Sequence, residues 1–135
     1  MAFTYRRTVH FPDTDAAGVV FFANYLAMCH EAYEEALGAA GIELNRFFED
    51  TGTIIPVTKS EAEYHRPLQT GDRIEVIVAP SALSEDSFEI RYEMFRVGPP
   101  RKRAALVRTE HVCIDRKTRV RRPLPDAVKR WLTGI

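Results

Sequence analysis

The 135-residue sequence has little of what marks the more specialised classes of protein. It contains only two cysteines, Cys29 and Cys113, and both have apolar neighbours. This content excludes a disulfide-rich framework and favours reduced, buried thiols over a metal site. The longest apolar stretch, residues 16–29, is interrupted by Asn24 and is too short to span a bilayer. We therefore expect a globular protein with no metal ion or other cofactor and no membrane partner.

The opening of the chain and its length set two further expectations. Residues 1–7 lack the order of positive charge, apolar run and cleavage site that defines a signal peptide. This absence predicts a cytoplasmic protein. A length of 135 residues is enough to bury a sizeable core, so we expect one domain that spans residues 1–135.

Acidic and basic residues are equal in number, but they are separated along the chain. Residues 1–95 contain 7 Lys and Arg against 16 Asp and Glu, whereas residues 96–135 contain 12 against 3. A basic final third suits a polyanionic ligand, either a phosphorylated small molecule or a nucleic acid. The alternative is that the two parts neutralise each other within the fold or between subunits. Because no nucleic-acid recognition motif is present, we expect no nucleic-acid partner.

The pattern of apolar residues predicts one long helix near the start, followed by strands. Between residues 24 and 40 the apolar side chains fall on one helical stripe, with glutamates opposite. Alternation predicts strands at residues 3–10, 54–66, 73–83, 88–97 and 104–115. A short helix or turn is predicted at residues 44–50, and a short helix after Pro125. This order is an α+β arrangement, in which the helix buries its stripe against the sheet.

The segment from residue 10 to residue 25 carries the strongest chemical signal. It reads His-Phe-Pro-Asp-Thr-Asp-Ala-Ala-Gly-Val-Val-Phe-Phe-Ala-Asn-Tyr and places Asp15 shortly before the predicted helix. The first turn of a helix has unpaired N–H groups and the positive end of the helix dipole. A carboxylate beside such donors can attack a carbonyl or activate a water while the N–H groups hold the oxyanion. The alternative for Asp15 is a helix N-cap, and we expect Asp13 to be a cap or turn residue.

This segment resembles the signature of the 4-hydroxybenzoyl-CoA thioesterase-like branch of the hotdog-fold acyl-CoA thioesterases. The shared elements are Asp-x-Asp-x-Ala-Gly-Val-Val, two aromatic residues and Asn-Tyr. The resemblance implies a hotdog fold, in which an antiparallel sheet wraps around one long helix, and an acyl-CoA substrate. It also implies that Asp15 is the nucleophile or general base and that the backbone N–H of Phe22 polarises the thioester carbonyl. Covalent anhydride formation and direct attack by water both remain open.

Later motifs resemble one group within this branch, the 1,4-dihydroxy-2-naphthoyl-CoA hydrolases of phylloquinone (vitamin K1) biosynthesis. These motifs are Cys-His-Glu-Ala-Tyr-Glu at residues 29–34, His-Val-Cys-Ile at residues 111–114 and Pro-Leu-Pro at residues 123–125. The resemblance implies that Tyr25 and His30 contact an aromatic acyl group. The 4-hydroxybenzoyl enzymes have an aspartate where this chain has His30. The alternative for this histidine is a structural hydrogen-bonding role at the edge of the helical stripe.

The binding of coenzyme A departs from the pattern of the family. The family has an arginine pair near residues 84–86, whereas this chain has Ser-Glu-Asp there, which is unsuited to phosphates. We therefore expect Arg101, Lys102 and Arg103, or else the basic residues at 116–122, to hold the phosphates. The alternative is a solvated basic surface.

The resemblance also implies a homo-oligomer, either a dimer or a tetramer, because family members pair the open edge of the sheet across subunits. Val57, Thr58 and Tyr64 are then candidates to line the acyl pocket of a neighbouring subunit.

Three other functions are compatible with these residues. One is a thioesterase for short- or medium-chain aliphatic acyl-CoA. The second is a hotdog module that binds acyl-CoA without hydrolysing it, although Asp15 argues against this because a sensor needs no carboxylate near the thioester. The third is a nucleic-acid-binding protein that uses the basic end, against which the lack of a recognition motif argues.

Overall fold

A computed structural model describes residues 2–134, and Met1 and Ile135 lie outside the described residues. The strands of its main sheet are β1 (Phe3–Thr8), β3 (Val57–Tyr64), β4 (Arg73–Ser84), β5 (Ser87–Arg96) and β6 (Lys102–Val112). They pair in the order β1–β4–β5–β6–β3, and every pair is antiparallel. Two short strands, β2 (Thr53–Ile54) and β7 (Ile114–Asp115), form a separate antiparallel pair. The helices are α1 (Phe22–Ala39), α2 (Leu44–Thr51) and α3 (Asp126–Thr133).

The core lies between α1 and one face of the main sheet. Strand β4 alternates, so that Ile74, Val76 and Val78 are buried while the residues between them are partly exposed. The next strand contributes larger side chains to the same layer, and Tyr92 lies directly opposite Val78 in the register of the two strands. The α+β arrangement predicted from periodicity is therefore confirmed.

Helix α1 meets this layer with its apolar stripe. The buried members of the stripe are Tyr25, Met28, Cys29, Ala32, Tyr33, Ala36 and Leu37. Each fully buried large apolar side chain contributes roughly 1.5–3 kcal/mol, so the stripe is what attaches the helix to the sheet. None of the helices within residues 2–134 is both long enough and apolar enough to cross a membrane.

The structure corrects three boundaries predicted from the sequence. The predicted strand at residues 54–66 is two strands, because Pro56 has no N–H to donate and lies at the break between β2 and β3. The predicted strand at residues 104–115 is likewise divided at Cys113, whose N–H donates to the carbonyl of Asp86 at 2.7 Å. The long helix begins at Phe22, two residues earlier than predicted.

Strand β3 forms one edge of the main sheet and pairs only with β6. Its side chains are mostly exposed, including Val57 and Tyr64 at 44% and 45%. Because one row of its backbone N–H and C=O groups has no neighbouring strand among residues 2–134, β3 is an open edge. This edge lies beside α1, and the two elements together form the candidate site.

Candidate active site

Asp15 lies in a tight loop that joins the end of β1 to α1. Its N–H donates to the carbonyl of Val19 at 3.0 Å, and the N–H of Gly18 donates to the carbonyl of Asp15 at 3.0 Å. Gly18 has a φ of 82°, which permits this turn. One carboxylate oxygen, Oδ1, accepts from the N–H of Ala17 at 2.8 Å, whereas Oδ2 bonds to no described residue. The exposed carboxylate therefore retains an oxygen that is available to a ligand.

Asp13 attaches this loop to the start of the helix. Its carbonyl accepts from the N–H of Phe21 at 3.0 Å and from Nδ2 of Asn24 at 2.9 Å. Its carboxylate lies 3.0 Å from Nη2 of Arg7 and accepts from the N–H of His10 at 2.8 Å. Asp13 is thus a turn residue, as predicted, and it fixes the Asp15 loop relative to α1.

The first turn of α1 has no side-chain cap. The N-cap residue is Phe21, which cannot bond to the free N–H groups, and the first turn contains no acidic residue. The alternative interpretation of Asp15 as a helix N-cap is therefore wrong, since the cap position lies six residues later. Phe22, the first helical residue, is 61% exposed, and its N–H has no partner within the helix. This helix end can receive an oxyanion.

A cavity of about 290 Å³ opens at this helix end, between α1 and β3. The ring of Tyr25 meets that of Tyr64 edge-on, with 5.0 Å between centroids, and the Tyr64 hydroxyl donates to the carbonyl of Phe22 at 3.3 Å. The Tyr25 hydroxyl donates to the carbonyl of Arg66 at 3.2 Å, and burial raises the pKa of Tyr25. The lining consists of Val19, Val20, Phe22, Tyr25, Tyr64, His65, Arg66 and Pro67.

A second cavity of about 370 Å³ continues along the same two elements. Its lining is Leu26, Ala27, His30, Val57, Ser60, Tyr92 and Thr109. Phe22, Leu26 and His30 are spaced four residues apart and therefore share a face of α1. On β3, Tyr64 and Ser60 are likewise on one face of the strand. The two cavities follow one another along α1 and β3, and we call them together the α1–β3 groove. About 12 Å of helix separates Phe22 from His30.

His30 marks the far end of the groove and the beginning of a third cavity. Its ring meets that of Tyr33 edge-on at 5.5 Å. The third cavity measures about 700 Å³ and is largely apolar, with Leu37, Phe48 and Ile55 among its walls and Arg116 at its rim. Three of the predicted site residues line these cavities: Phe22 and Tyr25 line the first, and His30 lines the second and the third. Asp15 lies in the loop before α1 and lines none of them.

The predicted phosphate-binding residues line none of these three cavities and lie at the turn between β5 and β6 and the start of β6. Arg101 lies 3.3 Å from the Glu75 carboxylate, and Arg103 lies 3.5 Å from Glu93. Both carboxylates are on the face of the sheet that faces away from α1, because they alternate with buried residues. Lys102 forms no ion pair with a described residue.

Other ion pairs also join the basic final third to the acidic first part of the chain. Arg108 bonds to Glu89 and Glu61 of the first part as well as to Glu110 of its own part, and this guanidinium holds the pKa of Glu89 below its usual value. Arg121 lies 3.4 Å from Asp86. These contacts are what the alternative interpretation of the charge separation predicts, namely neutralisation within the fold.

Sequence reasoning missed several groove residues. No local signal marks these residues, because only the pairing of distant strands brings them to α1; they are Ser60, Arg66, Tyr92 and Thr109.

Within residues 2–134, no three histidine, cysteine, aspartate or glutamate side chains are close enough together to hold a metal ion.

Comparisons with known proteins agree with this geometry. The model of the thioesterase-like superfamily matches residues 9–132. A 1,4-dihydroxy-2-naphthoyl-CoA hydrolase from Trichodesmium erythraeum is 45% identical over 100% of this chain and 98% of its own length. Another, from Thermosynechococcus vestitus, is 44% identical over 95% of this chain and 86% of its own length.

A solved structure is also similar to this chain in its three-dimensional fold. The crystal structure of a 1,4-dihydroxy-2-naphthoyl-CoA thioesterase from Synechocystis superposes with a TM-score of 0.94 at 32% identity. The alignment covers 100% of this chain and 98% of that chain. The antiparallel sheet against α1 and this superposition confirm the predicted hotdog fold. On both the family match and the identity to these relatives, the chain belongs to the thioesterase-like superfamily.

Proposed function

We propose that this protein hydrolyses 1,4-dihydroxy-2-naphthoyl-CoA to 1,4-dihydroxy-2-naphthoate and CoA, a step of phylloquinone biosynthesis. The observation that carries the proposal is the exposed Asp15 carboxylate, held in a loop that is hydrogen-bonded to the uncapped start of α1. Relatives that are 44–45% identical over nearly the whole chain and bear this activity in their names support the choice of acyl group.

The chemistry requires one carboxylate and one donor. The thioester carbonyl lies at the start of α1, where the N–H of Phe22 donates to its oxygen and stabilises the negative charge that forms. Asp15 either attacks the carbonyl carbon, giving an anhydride that water then hydrolyses, or removes a proton from a water that attacks directly. In both routes the C–S bond breaks and CoA leaves as a thiolate, which needs little assistance from an acid.

The acyl group extends from the thioester along the α1–β3 groove. Tyr25 and Phe22 offer aromatic surface to a flat ring system at the first cavity, and His30 meets the far end of the acyl group. Fused rings need more length than a single ring, and the helix supplies about 12 Å between Phe22 and His30.

The CoA phosphates bind at Arg101, Lys102 and Arg103. The support for this placement is that the carbonyl of Ala104 accepts from the N–H groups of His65 and Arg66, at 2.8 and 3.1 Å. His65 and Arg66 line the mouth of the groove, so the start of β6 is adjacent to it. On binding, Arg101 and Arg103 exchange their carboxylate partners for phosphate. The loss at Arg103 is small, because both partners of that ion pair are exposed and such pairs contribute little.

The protein acts as a homo-oligomer, a dimer or a tetramer, in the cytoplasm. The open edge at β3, with its exposed Val57 and Tyr64, is the surface that a second copy covers. Cys29 and Cys113 are both free and buried, as thiols are in a reducing compartment. The chain forms one hotdog domain over its whole length.

One observation favours a second candidate, an aliphatic acyl-CoA thioesterase. The apolar cavity of about 700 Å³ beyond His30 offers space for a chain that passes the end of the groove. A thiol-release assay with 1,4-dihydroxy-2-naphthoyl-CoA, benzoyl-CoA and hexanoyl-CoA separates the two. We expect the hydroxylated bicyclic thioester to have the highest kcat/KM. If hexanoyl-CoA is the best substrate, the aliphatic function stands, and binding without thiol release identifies a non-catalytic module.

A further inference from the structure

A chain of three buried polar side chains extends from the wall of the α1–β3 groove into the core. Nε2 of His111 lies 2.7 Å from Oγ1 of Thr109, and that oxygen lies 3.2 Å from the hydroxyl of Tyr92. All three residues are buried, and they come from the two central strands β5 and β6. None of them belongs to the machinery of Asp15 and the start of α1.

His111 is held in one orientation by stacking. Its ring lies parallel to that of Phe88, with 4.7 Å between centroids and 7° between planes, and Tyr33 packs 4.9 Å away. Its Nδ1 has no hydrogen-bond partner within residues 2–134. Burial and the nearby His30 lower the pKa of His111 to about 4, so the ring is neutral at neutral pH. The contact with Thr109 is thus the one hydrogen bond that the imidazole makes among the described residues.

The hydroxyl of Thr109 has a free hydrogen-bonding position. A hydroxyl offers one donor and two acceptor sites, and Tyr92 and His111 occupy two of the three. This count holds for either tautomer of His111, since the imidazole nitrogen fills one site whether it donates or accepts. No described residue occupies the third site.

Thr109 also lines the second cavity of the groove. It is 8% exposed, and it is paired directly across the strands with Ser60, which lines the same cavity. With His30 from α1, these residues place three polar side chains around walls that are otherwise apolar, such as Leu26 and Val57. A few converging polar groups in an apolar cavity are typical of a site that recognises one polar substituent of a ligand.

We propose that Thr109 is a specificity-determining residue that hydrogen-bonds a ring hydroxyl of the acyl group. Tyr92 and His111 are positioning residues, because their hydrogen bonds fix the rotation of the Thr109 hydroxyl. His111 does not line the cavity, whereas Tyr92 lines it and has its hydroxyl directed to Thr109. This inference rests on the proposed hydrolysis of a hydroxylated aromatic acyl-CoA. It assigns the recognition of the hydroxyl to the central strands of the sheet as well as to His30.

The test compares two thioesters that differ only in their hydroxyl groups, 1,4-dihydroxy-2-naphthoyl-CoA and 2-naphthoyl-CoA. Their kcat/KM values are measured for the parent protein and for Thr109→Val, which keeps the shape of the side chain and removes the hydroxyl. We expect the preference for the hydroxylated thioester to fall about tenfold to a hundredfold, since a ligand hydroxyl left without a partner is penalised on that scale. Turnover of 2-naphthoyl-CoA, which has no hydroxyl for Thr109 to bind, should fall by a smaller factor than turnover of the hydroxylated thioester.

Three further variants separate recognition from folding. Thr109→Ser restores the hydroxyl and should retain the preference for the hydroxylated thioester. Tyr92→Phe removes one positioning contact and should reduce that preference. This second variant keeps the inference testable if Thr109→Val does not fold. Thr53→Val is the matched control, because Thr53 is a buried threonine that is hydrogen-bonded to Thr51 at 2.7 Å outside the groove. It should leave the preference unchanged.

Two results would overturn the inference, and they differ from each other. A parent protein that prefers the hydroxylated thioester, with Thr109→Val and Tyr92→Phe retaining that preference within about threefold, refutes the role of Thr109 alone. A parent protein that releases thiol from neither thioester refutes the proposed function, and this inference with it.

Discussion

Acidification should destabilise this protein through His111. Burial is the main cause that lowers the pKa of His111 to about 4 in the folded protein, whereas an unfolded histidine has a pKa of about 6.5. Between these values the unfolded state binds a proton that the folded state does not bind. Stability therefore falls as the pH decreases through this window. At about 1.4 kcal/mol per pKa unit, the loss approaches about 3 kcal/mol, a large part of the stability of an ordinary domain.

Urea denaturation of the parent protein and of His111→Phe at pH 7.5, 6.5, 5.5 and 4.5 measures this effect. Phenylalanine preserves the stack on Phe88 and cannot be protonated. We expect the free energy of unfolding of the parent to fall relative to that of the variant by about 2–3 kcal/mol between pH 7.5 and pH 4.5. Glu89, whose pKa Arg108 lowers, does not affect the comparison, because the parent and the variant both contain this carboxyl and its contribution cancels in the difference between their profiles. Two parallel pH profiles would refute the reasoning.

The remaining predictions concern the active site, the phosphate site and the assembly. Asp15→Asn keeps the size of the side chain and the hydrogen bond from Ala17, but it should lower kcat about a hundredfold or more; activity within about tenfold of the parent contradicts the role of this carboxylate. Replacing Arg101, Lys102 and Arg103 together by alanine should raise KM for acyl-CoA at low salt and leave kcat near the parent value, because contacts remote from the reacting carbonyl act equally on the ground and transition states. An unchanged KM places the phosphates elsewhere. Light scattering at micromolar concentration should give the mass of a dimer or a tetramer, and a monomer refutes the proposed assembly.

The features that the sequence predicted correctly depend on neighbouring residues. The apolar stripe that ends at Leu37 has helical spacing, and the alternation from Ile74 to Val78 has strand spacing, so each element could be identified without knowledge of its partners. The turn that contains Asp15 was equally visible, since Gly18 and the aspartates mark it locally. The resemblance to thioesterases rested on the same contiguous segment.

The features that the sequence did not predict depend on residues that are distant in the chain. Pro56 marks the break between β2 and β3 locally, but the pairing of β2 with β7, which lies some sixty residues later, has no local signal. The partners of Arg101 and Arg103 are likewise set by strand order, which places Glu75 and Glu93 beside them. No periodicity encodes such pairings, so a basic run looks the same in sequence whether its charges are free or paired.

His111 connects the stability of the fold to the selectivity of the groove. A buried nitrogen without a partner lowers stability, and phenylalanine at this position would preserve the packing against Phe88 without that penalty. What the imidazole adds is the hydrogen bond to Thr109. An apolar core would be no less stable without that bond. His111→Phe should therefore be more stable than the parent at pH 5 and also less able to distinguish a hydroxylated ring from a bare one. A variant that gains stability and retains full discrimination would show that the imidazole does not position Thr109.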